Sequence, residues 1–106
     1  MRVDKETVSE FRHGHATVST SRTQVTGVNF KTLKGVLIRA PGADDLSNGN
    51  THVVFIGGPS VTANNDPNTG GIPLPPGNSI VIPVEDSGSL WVVSTGNAQD
   101  VSWAIL

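Results

Sequence analysis

The residues best suited to chemistry are His13 and His15, one residue apart, with His52 far along the chain. On an extended strand that spacing turns both imidazoles to one face, as a metal pair requires. A third ligand is needed, and a glutamate shortly afterwards would supply it. Ala16-Thr17-Val18-Ser19-Thr20-Ser21 follows instead. His52 can join only through the fold or from another subunit, so the histidines read as surface or hydrogen-bonded side chains. Two loops are rich in oxygen ligands. Residues 44–49 (DDLSNG) open like a calcium loop, but the third position is Leu46 and the twelfth is Phe55, where a bidentate glutamate belongs. Residues 64–70 (NNDPNTG) have the oxygens without the spacing, and Asn and Asp are ordinary turn residues. Asp45 and Asp86 could act as a carboxylate pair only if the fold brings them together. No G-x-S-x-G elbow, phosphate loop, H-E-x-x-H or dinucleotide fingerprint occurs. The expectation is a non-enzymatic protein with no catalytic residues, no metal and no cofactor.

The elements that would position these residues are strands and turns. Ala16 to Thr20 alternates small apolar and hydroxyl residues, the mark of a half-buried strand. Val36, Ile38 and Ala40 fall on one face of the next strand, Leu37 and Arg39 on the other. From Thr51 to Ile56 both faces are largely apolar, which predicts a strand covered on both sides. Ile80, Ile82 and Val84 share a face, with Pro83 marking an edge or strand end. Leu90 to Thr95 and Val101 to Leu106 complete the set, with Val101, Trp103 and Ile105 on one side. Between Phe55 and Val84 glycines (Gly57, Gly58, Gly70, Gly71, Gly77) and prolines (Pro59, Pro67, Pro73, Pro75, Pro76) forbid a helix or a central strand. That stretch reads as strand, protruding loop, turn, strand, with Pro76-Gly77 at the centre of a type II turn. Short strands at close spacing predict an all-β fold: a small single-domain antiparallel β-sandwich or barrel with a long Gly/Pro-rich loop. Residues 1–14 read as an N-terminal arm or short helix, and residues 15–106 as the β domain.

At 106 residues the chain suffices for one domain with a modest core, and a domain this small gains from association. It has no cysteine, and no run approaches the roughly 20 apolar residues of a membrane span. Its N-terminus carries charges where a signal peptide needs an apolar core. All the bases (Arg2, Lys5, Arg12, Arg22, Lys31, Lys34 and Arg39) precede residue 40, and beyond it lie only acids. Arg2, Lys5 and Arg12 therefore read either as an arm that contacts an acidic protein surface or as part of a chance sorting of few charges that the fold interleaves. Bases do not interleave with aromatics and the chain is acidic overall, which argues against nucleic acid as a partner. The end, with Trp103, Ile105 and Leu106, is apolar to the last residue, which predicts an end tied down in the core or in an oligomer contact.

Laid end to end, these pieces resemble a group of small virion structural proteins of tailed bacteriophages. The group's pattern is a G-V-L-I strand, a strand ending I-G-G, then V-T, a glycine, an I-P-L-x-P-G-x-S turn, and two terminal strands. Here these are Gly35-Val36-Leu37-Ile38, Val54-Phe55-Ile56-Gly57-Gly58, Val61-Thr62, and Gly71-Ile72-Pro73-Leu74-Pro75-Pro76-Gly77-Asn78-Ser79. Leu90-Trp91-Val92-Val93 and Val101-Ser102-Trp103 stand for the terminal strands. The resemblance covers residues 16–106. Two connections, residues 41–50 and 64–69, are longer than the group's usual loops. Asn64, Asn65, Asp66 and Asn68 in the second are candidates for contacts peculiar to one virion, at a polar rim.

The resemblance implies a capsid decoration or cement protein on the outside of a phage head. Its partner would be the major capsid protein, and it would act as a homo-oligomer, with a trimer as the first expectation from three-fold capsid positions. The alternative is a tail, neck or fibre-associated module. A carbohydrate-binding sandwich is a third class, but it needs several exposed aromatics, and the two tryptophans, Trp91 and Trp103, sit in strands that read as buried.

Overall fold

The computed structural model describes residues 11–42 and 49–106. The chain forms β1 (His13–Val18), β2 (Thr23–Gln24), β3 (Val36–Arg39), β4 (Val54–Gly57), β5 (Ile72–Leu74), β6 (Ser79–Ile82), β7 (Trp91–Ser94) and β8 (Gln99–Ile105). One 3-10 turn, Ser87–Ser89, leads into β7. The strands build two four-stranded antiparallel sheets, ordered β1-β8-β3-β6 and β2-β7-β4-β5. The all-β expectation holds in its sandwich form. The 1–14 arm or helix falls mostly outside the described residues.

The alternation of the sequence sets the core. In β3 and β4 every second residue is buried: Val36 and Ile38, Val54 and Ile56. With Val18, Val25, Leu74, Leu90, Val92, Val101 and Ile105 they fill the space between the sheets. Branched aliphatics dominate, with Phe30 and Trp103 packed at the margin. Burial of such side chains at about 25 cal/mol per Å2 of apolar surface is the main force holding the sheets together. Register carries this pattern across the first sheet. Gly14, Trp103, Ile38 and Ile80 form one inward row. His13, Ala104, Leu37 and Val81 form an outward row, and His15, Ser102, Arg39 and Ser79 the next.

The long excursion differs from its sequence reading. Ile72 to Leu74, expected in a turn, is a strand that pairs with β4 through Val54↔Leu74, Phe55↔Pro73 and Ile56↔Ile72. Pro73 is tolerated because β5 is a sheet edge. The turn that follows matches its reading: Gly77 has φ 89°, and the Asn78 N–H donates to the Pro75 carbonyl at 3.1 Å. β8 starts two residues before the expected strand, at Gln99. This buried amide accepts from the Thr51 and His52 N–H groups and donates to the Asn97 carbonyl and Thr51 hydroxyl. Full satisfaction of both its polar atoms lets Gln99 occupy a core position.

Candidate interaction surfaces

The two outer faces of the sandwich are built differently. Residues 58–71 fold back over the second sheet. Val61, only 3% exposed, plugs into the outward side of β4. Room for it comes from two glycines: a Cβ on Gly57 or Gly71 would meet the Val61 side chain at 2.8 or 2.6 Å. The Arg22 Nε–H donates to the Val61 carbonyl at 2.7 Å and pins the loop from β2's side. Beneath it Val93 is buried although it points away from the core, and Phe55 is half-buried. This cover explains why both faces of β4 are apolar.

Beyond Val61 the loop closes on itself. The Thr62 N–H donates to the Thr69 carbonyl at 2.8 Å and the Gly71 N–H to the Thr62 carbonyl at 3.0 Å. At the tip the Asn64 side-chain oxygen accepts the Asp66 N–H at 2.9 Å. The Asp66 carboxylate accepts the Asn68 and Thr69 N–H groups at 2.8 and 3.0 Å. Those two bonds hold its carboxyl below the usual carboxylate value. The side-chain oxygens of Asn64 and Asp66 are thus turned onto the loop's own backbone. Asn64, Asn65, Asp66 and Asn68 come together as an exposed, self-ordered tip.

The outer face of the first sheet is open. Its row His13–Ala104–Leu37–Val81 is extended by Phe11, whose ring stacks on His13 at 5.0 Å. Phe11 is 68% exposed and Val81 47%. A shallow groove of about 330 Å3 runs between Phe11, Leu37, Arg39 and Ala104. His13 and His15 share this face, as their spacing requires, and the His15 Nδ1 lies 3.4 Å from the Ser102 hydroxyl. His52 sits elsewhere, 3.2 Å from the Thr95 hydroxyl and against Gly96. Among the described residues no group of three or more His, Cys, Asp or Glu is placed to hold a metal ion.

No family model, curated protein or solved structure matches this chain.

The remaining expected contact residues are scattered. Arg2 and Lys5 lie outside the described residues, as do Asp44 and Asp45. Arg12 is exposed, with its guanidinium 5.1 Å over the Phe30 ring. Asp86 forms an ion pair with Lys31 at 2.7 Å and accepts from the Asn29 amide at 3.2 Å. These contacts hold Asp86 below, and Lys31 above, their ordinary values. At the chain end Ile105 is in the core, while Trp103 and Leu106 are half-buried. The Leu106 N–H donates to the Gly35 carbonyl, and its carbonyl accepts from Leu33 and Lys34. The end is tied down within the chain's own fold. The outward row of the first sheet went unseen because it depends on register between strands distant in sequence. The signal that could have found it was the apolar Leu37 and Val81 on the strand faces opposite the core set.

Proposed function

We propose that this chain is a non-enzymatic virion structural protein, a capsid decoration or cement protein that binds the major capsid protein on the outside of a phage head as a homo-oligomer. The observation that carries this reading is the contrast between the two outer faces. One is covered by the chain's own loop, and the other presents Phe11, Leu37 and Val81 beside polar neighbours. An apolar strip with a polar rim suits protein contact better than catalysis. The phage-like motifs also fall on packing positions: Gly57, Val61 and Gly71 form the loop anchor and Gly77 the turn. A small domain docked on a repeating shell is stabilised by mass action, since the shell binds only the folded state.

Quantitative mass spectrometry of purified particles tests this. Copy number in proportion to the capsomers is expected; absence from the particle would sink the reading. The exposed tip carrying Asn65 and Asn68 favours the second reading, a tail, neck or fibre module. In that case copy number matches a single ring or fibre set.

A further inference from the structure

We propose that β6 pairs antiparallel with β6 of a second copy about a two-fold axis at Ile80, joining the first sheets of two protomers into one eight-stranded sheet. The argument starts from hydrogen-bond phase. The Ala40 N–H donates to the Asn78 carbonyl, the Leu106 N–H to the Gly35 carbonyl, and the Ile105 N–H to the Arg12 carbonyl. In an antiparallel ladder, successive residues point their peptide groups to alternate neighbours. All three bonds agree on one phase. Ile80 and Ile82 face β3, and the N–H and C=O of Ser79 and Val81 point away from the sheet.

Those outward groups are self-complementary. With Ile80 on the axis, Ser79 lies opposite Val81 of the second copy and Val81 opposite its Ser79. Each pair exchanges two N–H···O=C bonds. The turn at Gly77 and the missing N–H of Pro83 limit the strand on either side, so this symmetric register uses every outward donor of β6. No charged side chain lies on β6, so the axis brings no like charges together.

The other edges are less suited. β5 has Pro73 at its centre, β2 is two residues long, and β1 exposes His13, His15 and Thr17. Edge strands are usually blunted by charge, proline or brevity. β6 carries no charge and no proline within Ser79–Ile82, exposes Val81, and leaves Ile80 and Ile82 only half-buried. The pairing is two-fold, in place of the trimer that the phage resemblance suggested, and it stands whether or not the protein decorates a head.

Sedimentation equilibrium from micromolar to millimolar protein, with amide exchange on the same samples, is the test. The wild type should move toward twice the chain mass as concentration rises. In step, the Ser79 and Val81 amides should become protected, while Ile80 and Ile82 are protected at every concentration. Val81→Lys should weaken association at least about tenfold; Thr17→Lys, the same change on the β1 edge, should not. A wild type that stays monomeric overturns the proposal. So does a dimer in which the Ser79 and Val81 amides exchange as freely as in the dilute sample, a result that needs no variant.

Discussion

Trp103 of β8 stands directly opposite Gly14 of β1, and its indole fills the space that a Cβ on Gly14 would take, the nearest ring atom lying at 2.7 Å. The ring also packs against Phe30, with centroids 5.7 Å apart. Its Nε1 is buried without a hydrogen-bond partner among the described residues. A Cβ at residue 14 would press on this ring, which already packs against Phe30. Gly14→Ala should therefore destabilise the fold by about 1–3 kcal/mol, the usual cost of overpacking. A urea titration followed by tryptophan fluorescence would read it, and an unchanged midpoint would show that the ring yields freely.

Ser87 ties the 3-10 turn to the segment before β3. Its hydroxyl is fully buried. It accepts the Phe30 N–H at 2.8 Å and shares a bond with the Thr26 hydroxyl at 2.9 Å. Ser87→Ala leaves the Phe30 N–H without that acceptor, at a cost of about 1–3 kcal/mol. Ser89→Ala removes only an exposed bond to the Asp86 carbonyl and should be close to neutral. Equal effects of the two in thermal melts would refute this ranking.

Val61 is the single apolar anchor of the loop that covers the second sheet. Val61→Ala should cost about 1–2 kcal/mol from the lost methyl groups and the void they leave. Its sharper signature is local. Limited proteolysis should cut within residues 58–71 faster than in the wild type, while far-UV circular dichroism stays the same. Cleavage elsewhere would mean that Val61 supports the sandwich as a whole.

Acid should loosen two places in a defined direction. Asp66 and Asp86 both have carboxyls lowered in the folded state, the first by backbone N–H donors and the second by Lys31 and Asn29. A lowered native value gives a stabilisation present above the unfolded carboxylate range, near pH 4, and lost as pH falls through the native value. Lys31 is raised by Asp86 and acts in the opposite sense. Its contribution is present below its unfolded value and lost as pH rises through the native one. Amide shifts of Asn68 and Thr69 should titrate with Asp66 below the ordinary carboxylate value, and Asp66→Asn should abolish that titration. A midpoint at or above the ordinary value would contradict the geometry.

How much of this was legible in the sequence depended on where each physical constraint acts. β3 was readable because period-two alternation is local, and β4 and β7 because short apolar, largely β-branched runs bounded by turn residues are local too. So was the Pro75–Asn78 turn, since Gly77 there needs positive φ. β5 was hidden because Ile-Pro-Leu has no alternation to show and a central proline that signals a turn. Gln99 looked like a loop residue because the partners that satisfy its amide lie at Asn97, Thr51 and His52, two of them distant in sequence. That β4 is covered on both sides was legible from its two apolar faces, but what covers it, and which outer face stays open, were hidden for the same reason. Nothing near Val61 says that it reaches back over Gly57, and nothing near Leu37 says that it lines up with Ala104 and Val81. The histidine pair was read correctly as sharing a face, but only the fold could show that His52 lies apart from it.

The closure of the loop at Thr62 and Gly71 has a consequence for how such a protein can diversify. The bonds that close the loop lie below the tip, so the five residues from Asn64 to Asn68 hang from a stem closed between Thr62 and Thr69. Changes in the length or composition of that tip should therefore stay local and leave the strands unaltered. The stem works as a socket: the sandwich can keep its folding solution while the tip is exchanged, lengthened or loaded with a foreign peptide.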